Sequence, residues 1–322
     1  MKKISYLLLI MSVCGLFLSG CAGEPSENLR YSEDRLDSLI DAVPSERIQA
    51  DSFASSLCVV TGEEAVSDPS VNAEAAGVFS LSDQNVIFEK NVFERMHPAS
   101  ITKVMTALLA VKYGNLDEEI TVGDETRITE AGASMCSIQP GDILTLRQLL
   151  YGLMLPSGND AGAAIAVHMA GSIDAFSEMM NTEARKVGAT DTHFVNPHGL
   201  TNEVHLTTAY DLYLILNEAL KYPEFRNVIG TREYTVCYRD AQGNEKSQIW
   251  QNSNKYLTGA EETPDGLHVL GGKTGTTNAA GYCLILASED EQDQEYISVV
   301  LKAGSRADLY DNMTNIICKI VN

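Results

Sequence analysis

The chain has 322 residues and carries 23 lysines and arginines against 44 aspartates and glutamates, a formal net charge of −21. That balance excludes nucleic acid and anionic surfaces as partners and leaves small or zwitterionic ligands open. The length suffices for one large buried core or two small ones.

In chain order, Lys2 and Lys3 precede an apolar run from Tyr6 to Leu18 that is too short to span a bilayer. Small residues and Cys21 follow, so residues 1–20 read as an export signal. The junction Leu18-Ser19-Gly20-Cys21 resembles the bacterial lipobox. That resemblance implies a diacylglycerol on the Cys21 thiol, which becomes the mature N-terminus and anchors the protein to the outer face of the membrane. Residues 21–51 hold eight acids and three arginines and read as an acidic tether, which as a flexible chain of about 30 residues would span roughly 30 Å. Within it Leu36, Leu39, Ile40 and Val43 share helical spacing, the pattern of a short helix that docks.

Residues 52–322 read as the globular domain. Strands are expected at 56–61, 76–81 and 85–89, the last two joined through Ser82-Asp83. Helices are expected at 100–113, closed by Gly114, and at 145–155, 160–170, 172–187 (closed by Gly188) and 207–220. Strands follow at 267–273, 281–287 and 296–302, then a closing helix from Arg306. Its stripe of Leu309, Met313, Ile316, Ile317 and Ile320 reads as core and not as a membrane-surface face, since only Arg306 and Lys319 supply cations and no tryptophan is present in it. Strands at both ends around central helices give an α+β fold (mixed α/β), one antiparallel sheet built from the two termini and flanked by helices. Of seven cysteines, Cys14 and Cys21 belong to the N-terminal segment, and no C-x-x-C pair exists among the other five. Cys58 and Cys283 lie in apolar runs and read as small buried hydrophobes.

Three motifs carry chemistry: Ser100-Ile101-Thr102-Lys103, Ser157-Gly158-Asn159 and Lys273-Thr274-Gly275. Each alone is weak, and each has a plain alternative: an N-cap serine with a solvated lysine, an interhelical turn, a turn with an exposed lysine. Their contexts strengthen them. Ser100 opens a helix, so Lys103 lies one turn away on the same face and serves as base once burial and neighbouring cations depress its pKa. Ser157-Gly158-Asn159 falls between two apolar helices, so Ser157 is placed to relay a proton to a leaving amine and Asn159 to bind a substrate amide and hold Lys103. Lys273-Thr274-Gly275-Thr276 ends an apolar strand, where a substrate could add as a further strand with its carboxylate on Lys273 and the hydroxyls.

The stretches Pro98-Ala99-Ser100-Ile101-Thr102-Lys103-Val104-Met105-Thr106, Leu149 to Ala161 with its Leu155-Pro156-Ser157-Gly158-Asn159-Asp160, and Phe194-Val195-Asn196-Pro197-His198-Gly199-Leu200 resemble the low-molecular-mass penicillin-binding proteins, the serine D-alanyl-D-alanine carboxypeptidases. The resemblance runs from about Ala76 onward. It implies a serine β-lactamase-like fold, an acyl-enzyme on Ser100, an oxyanion hole from the N–H groups of Ser100 and Thr276, and release of terminal D-alanine from peptidoglycan stem peptides. β-Lactams are then covalent inhibitors, and no cofactor or metal is expected. Many relatives continue into a second, β-rich domain with an amphipathic C-terminal anchor, whereas this chain ends soon after Lys273, so the N-terminal lipid is expected to replace that anchor. Thr276 stands where many such carboxypeptidases carry an aromatic or imidazole side chain, which leaves the balance with transpeptidation open.

Two alternatives stand beside this reading. A class A β-lactamase needs a Glu-x-x-Leu-Asn base that the Phe194 to Gly199 region lacks, and a non-catalytic lipoprotein that binds muropeptides or β-lactams would not need all three motifs intact. His193, His198 and His205 show no His-Glu-x-x-His metal pattern and read as support for the rim of the site, while Arg306 reads as a surface residue or a helper in carboxylate binding.

Overall fold

Alternation along three C-terminal strands buries both of their faces, and this organises the structure. In the computed structural model β7 (Leu267–Thr277), β8 (Gly281–Asp290) and β9 (Glu295–Ala303) join β1 (Ala75–Ser80) and β2 (Asn85–Lys90) in an antiparallel sheet of order β2-β1-β9-β8-β7. Val299, Leu301, Ile285 and Phe79 face one core, Val300, Leu284, Leu286 and Val78 the other. Period-two side chains buried on both sides explain why these strands read as nearly continuous apolar runs.

The described residues are 57–60 and 68–321, all within the unit Phe53–Asn322. The export signal, Cys21, the acidic tether with its apolar stripe and most of the strand expected at 56–61 lie outside them. Residues 57–60 form no strand; Cys58 is held instead by its N–H on the Tyr213 hydroxyl at 2.9 Å and its thiol on the Ser80 carbonyl at 3.2 Å.

The second core forms under α8 (Arg306–Val321), which buries Leu309, Met313, Ile316 and Ile317 against the sheet, as its stripe predicts. Among the described residues no helix is long and apolar enough to cross a membrane. The other face of the sheet carries α1 (Lys103–Tyr113) and α5 (Ala209–Ala219), then α2 (Leu146–Met154), α3 (Asn159–Ala170), α4 (Ile173–Lys186) and α6 (Pro223–Gly230). Helix α1 is central: eight consecutive residues from Lys103 to Ala110 are buried. Each of Val104, Met105, Leu108 and Leu109 stabilises the fold by about 1.5–3 kcal/mol through removal from water. Two helices begin just after their expected first residue because that residue is the cap: Thr145 forms a capping box with Gln148, and Ser172 accepts from Ala175. The helix expected from Thr207 begins two residues later, at Ala209, because its cap is Thr208, which accepts from Asp211.

One layer is absent from the sequence expectations. Strands β3 (Glu119–Thr121), β4 (Ile143–Thr145), β5 (Glu233–Arg239) and β6 (Glu245–Gln251) make a second antiparallel sheet in that order. Burial alternates along both strands of the β5–β6 hairpin, but only Val236, Tyr238 and Trp250 are buried, and in β6 polar Lys246 and Gln248 face inward while Ile249 points to solvent, so the apolar signal in its sequence is weak. A short helix α7 (Lys255–Thr258) returns the chain to β7.

Gly199 fixes how the segment after α4 lies against the start of α1. Its φ is +86°, and a Cβ there would sit 1.8 Å from the Ala99 carbonyl oxygen. Gly199→Ala is therefore expected to destabilise the domain by about 3 kcal/mol or more and to slow chemistry at the neighbouring Ser100. Denaturant unfolding checks this, and wild-type stability in that variant would contradict the packing described.

Candidate active site

Sequence places Ser100 three residues before Lys103, and the structure delivers them through a 3₁₀ turn, Ala99–Thr102, that runs directly into α1. Ala99 enters the turn at φ +47°, a conformation unusual for a side-chain-bearing residue and a sign of stored strain. Strand β7 presses against the same turn. A Cβ on Gly275 would lie 2.9 Å from the Ser100 nitrogen, so glycine lets the strand edge reach the candidate nucleophile. The Lys273-Thr274-Gly275 motif thus lies inside β7, which continues to Thr277, instead of ending the strand at Lys273.

Lys103 is wholly buried, and its Nζ donates to Ser100 Oγ at 2.9 Å, Asn159 Oδ1 at 2.6 Å and the His198 carbonyl at 2.9 Å. No carboxylate is among these partners. Burial above all, and then the charge of Lys273, holds the Lys103 pKa well below the usual lysine range, with Asp160 and Cys136 opposing. The amide oxygen and the carbonyl can only accept, so a neutral amine keeps its two N–H bonds to them and turns its lone pair to the Ser100 hydroxyl. The geometry therefore fits proton abstraction from Ser100.

Asn159 opens α3, and its own N–H donates to the Ser134 carbonyl at 2.8 Å. Ser157 sits just before, at φ +64°, with Oγ buried and lacking a hydrogen-bond partner among the described residues. An orphaned buried hydroxyl beside the site marks a group held ready for a substrate. Lys273 is 1% exposed, and burial depresses its pKa to about 7. Its Nζ donates to the Thr274 carbonyl at 2.9 Å, and the Thr274 hydroxyl pairs with Ser253 Oγ at 2.6 Å. Two cavities meet at Ser100, Ser134 and Thr276: one of about 1040 Å³, lined also by Asn159, and one of about 140 Å³ that reaches Ser157, Thr274 and Arg306. Every site residue expected from sequence within the domain thus converges here: Ser100, Lys103, Ser157, Asn159, Lys273, Thr274, Gly275 and Thr276.

The family described as D-alanyl-D-alanine carboxypeptidase (Peptidase_S11) matches residues 62–305. The chain belongs to that family. It is 33% identical over 258 residues to D-alanyl-D-alanine carboxypeptidase DacF of Bacillus subtilis, covering 79% of this chain and 63% of that protein. To D-alanyl-D-alanine carboxypeptidase DacC of Escherichia coli it is 36% identical over 253 residues, 75% of this chain and 59% of that one. The chain therefore spans about three-fifths of the length of these curated relatives. The crystal structure of the Streptomyces K15 DD-transpeptidase superposes with a TM-score of 0.73 at 30% identity, covering 79% of this chain and 98% of that one. The α+β fold expected from the motifs is the fold of this family.

Residues outside the three motifs also line or support the site. Asp160 is buried and accepts the N–H groups of Cys136, Ser137 and Ile138 at 2.9, 2.8 and 3.2 Å, which clamps the loop carrying Ser134 over the start of α3. Its place directly after Asn159 was the available signal. Arg306 lines the smaller cavity, on the side where Thr274 and Ser253 lie. His205 uses both ring nitrogens on protein partners, Val195 N–H and Thr102 Oγ1, so its ring belongs to the support of the turn.

Proposed function

We propose that the protein is a serine D-alanyl-D-alanine carboxypeptidase that removes the terminal D-alanine from peptidoglycan stem peptides. The observation that carries this reading is the buried Lys103 amine, 2.9 Å from Ser100 Oγ and otherwise surrounded by acceptors. Ser100 Oγ attacks the penultimate carbonyl as its proton passes to Lys103. The N–H groups of Ser100 and Thr276 hold the oxyanion. On collapse the C–N bond breaks, and the departing nitrogen takes the proton through Ser157. Water then hydrolyses the ester and regenerates Ser100. Lys273, Thr274 and Thr276 bind the terminal carboxylate, with Arg306 on the rim of the same pocket, and Asn159 aligns the substrate amide. β-Lactams acylate Ser100 by the same attack. Incubating soluble protein with pentapeptide muropeptides is expected to yield tetrapeptides and free alanine by mass spectrometry; intact substrate, or cross-linked dimers as the main product, would overturn the carboxypeptidase assignment.

The N-terminal reading belongs to the same proposal. Residues 1–20 direct export, Cys21 carries the lipid, residues 21–51 tether the peptidase domain 52–322, and the enzyme works outside the cytoplasm on the membrane surface. It rests on the Leu18-Ser19-Gly20-Cys21 junction after the apolar run. Cys21→Ala is expected to accumulate unprocessed and to lose detergent-phase partitioning of the mature form; normal processing with wild-type membrane retention contradicts the lipid anchor.

A further inference from the structure

The hydrogen positions around the 3₁₀ turn at Ser100 are determined by one backbone donor. Val195 N–H donates to His205 Nδ1 at 3.1 Å, so Nδ1 is the acceptor nitrogen and the proton of the neutral ring resides on Nε2. Nε2 lies 2.9 Å from Thr102 Oγ1 and must donate to it. The Thr102 hydroxyl, already accepting, directs its own proton to the Ala99 carbonyl at 2.8 Å. All three residues are essentially buried, at 1% exposure for His205, 0% for Thr102 and 1% for Ala99, so water does not compete for these bonds. Burial, then the neighbouring His97 and His193, depresses the His205 pKa to about 3, so the ring stays neutral and the direction of the chain holds at ordinary pH.

A threonine hydroxyl commonly bonds the carbonyl three residues back, and here that carbonyl adjoins the candidate nucleophile. The Ala99 carbonyl belongs to the same peptide unit as the Ser100 N–H, the group assigned above to the oxyanion hole. A donor on a peptide carbonyl draws charge through the amide and makes its N–H a stronger donor, and successive bonds polarise one another at low dielectric. The same bond restrains Ala99 at φ +47°, where an alanine does not rest unaided.

We propose that His205 and Thr102 are positioning residues that orient and polarise the Ala99–Ser100 peptide, so that its N–H meets a developing oxyanion already aimed and strengthened. The inference rests on the proposed acylation of Ser100 for its kinetic consequence, but not for its ground-state one. Thr102 is also more than the spacer of the Ser100-to-Lys103 motif: position 102 needs a hydroxyl.

The test uses the full-length protein and four variants. Thr102→Val keeps shape and removes the hydroxyl, and Thr102→Ser restores it. His205→Asn retains an oxygen for Val195 but is too short to reach Thr102, while His205→Gln places an amide donor near the former Nε2. Acylation of Ser100 by benzylpenicillin, followed by intact mass, is expected to slow about tenfold in T102V and H205N with the initial binding constant unchanged, and T102S and H205Q are expected to recover most of that loss. The infrared band of the acyl ester carbonyl should rise in frequency in the two slow variants. In the unacylated protein the Ser100 amide nitrogen resonance should move upfield in T102V and H205N, a readout that does not depend on any reaction. An unmoved Ser100 resonance, or equal acylation losses in T102V and T102S, overturns the proposal. Wild-type protein that resists penicillin refutes the proposed function separately, and the Ser100 resonance still decides the role of Thr102; if T102V fails to fold, the H205N and H205Q pair decides it.

Discussion

Lys103→Arg is expected to lower acylation of Ser100 by about three to four orders of magnitude while the domain stays folded. The substitution preserves a cation of similar reach but removes any neutral base near pH 7, since a guanidinium does not lose its proton. Its planar fork also meets a pocket shaped for three convergent acceptors, Ser100 Oγ, Asn159 Oδ1 and the His198 carbonyl, so hydrogen bonds persist though chemistry does not. The wild-type lysine differs because burial and the charge of Lys273 both disfavour its ammonium form. Intact-mass kinetics after β-lactam exposure, with thermal unfolding as the control for folding, measures the effect. Acylation of Lys103→Arg at the wild-type rate would remove Lys103 from the role of base.

The parts of this site that sequence reveals are those encoded locally. Ser100 and Lys103 share a helical face by spacing alone, and Pro156 with Gly158 announces a loop between two apolar helices. The flanking strands are legible because both of their faces are buried, which leaves nearly continuous apolar runs at 281–287 and 296–301, the second interrupted only by Ser298. What sequence hides depends on long-range placement. That Lys273 lies close enough to disfavour the Lys103 charge follows from β7 being the edge strand pressed on the Ser100 turn, a consequence of sheet order and not of spacing. Ala99 and Ser157 adopt positive φ without being glycine or asparagine, so no residue signature announces either bend. Asp160 reads as an ordinary helix-start acid, and only the fold brings the N–H groups of Cys136, Ser137 and Ile138 to it. The second sheet is hidden for a simpler reason: each of its four strands buries only one or two side chains, and Trp250 anchors it through an indole bond to the Cys136 carbonyl at 3.0 Å.

Replacing Lys273 by methionine is expected to reduce kcat/KM on peptide by about a hundredfold or more, mostly through KM, and to make the protein more stable near pH 6. Both effects have one cause. Lys273 is 1% exposed, and burial alone depresses its pKa to about 7, with the Thr274 carbonyl as its one acceptor among the described residues. A lysine whose folded pKa lies below its unfolded value near 10.4 binds fewer protons folded than unfolded between those limits. Its contribution to stability therefore rises with pH from about 7 to about 10 and is least favourable below 7, where the charge must be carried in the folded state. A substrate carboxylate reverses this preference, since it pairs with the ammonium and needs it protonated. Binding should consequently weaken as pH rises through about 7, which gives kcat/KM a descending alkaline limb. The ascending acid limb reflects Lys103, whose depressed pKa owes its second-largest cause to Lys273. Because the two lysines interact, the observed limbs belong to the pair. Lys273→Met should abolish the alkaline limb and move the acid limb to higher pH as the like charge disappears. Profiles of kcat/KM and of thermal stability from pH 5 to 10 on both proteins test this together; an alkaline limb unchanged in the variant would place the carboxylate-binding cation elsewhere, with Arg306 on the same pocket wall as the next residue to substitute.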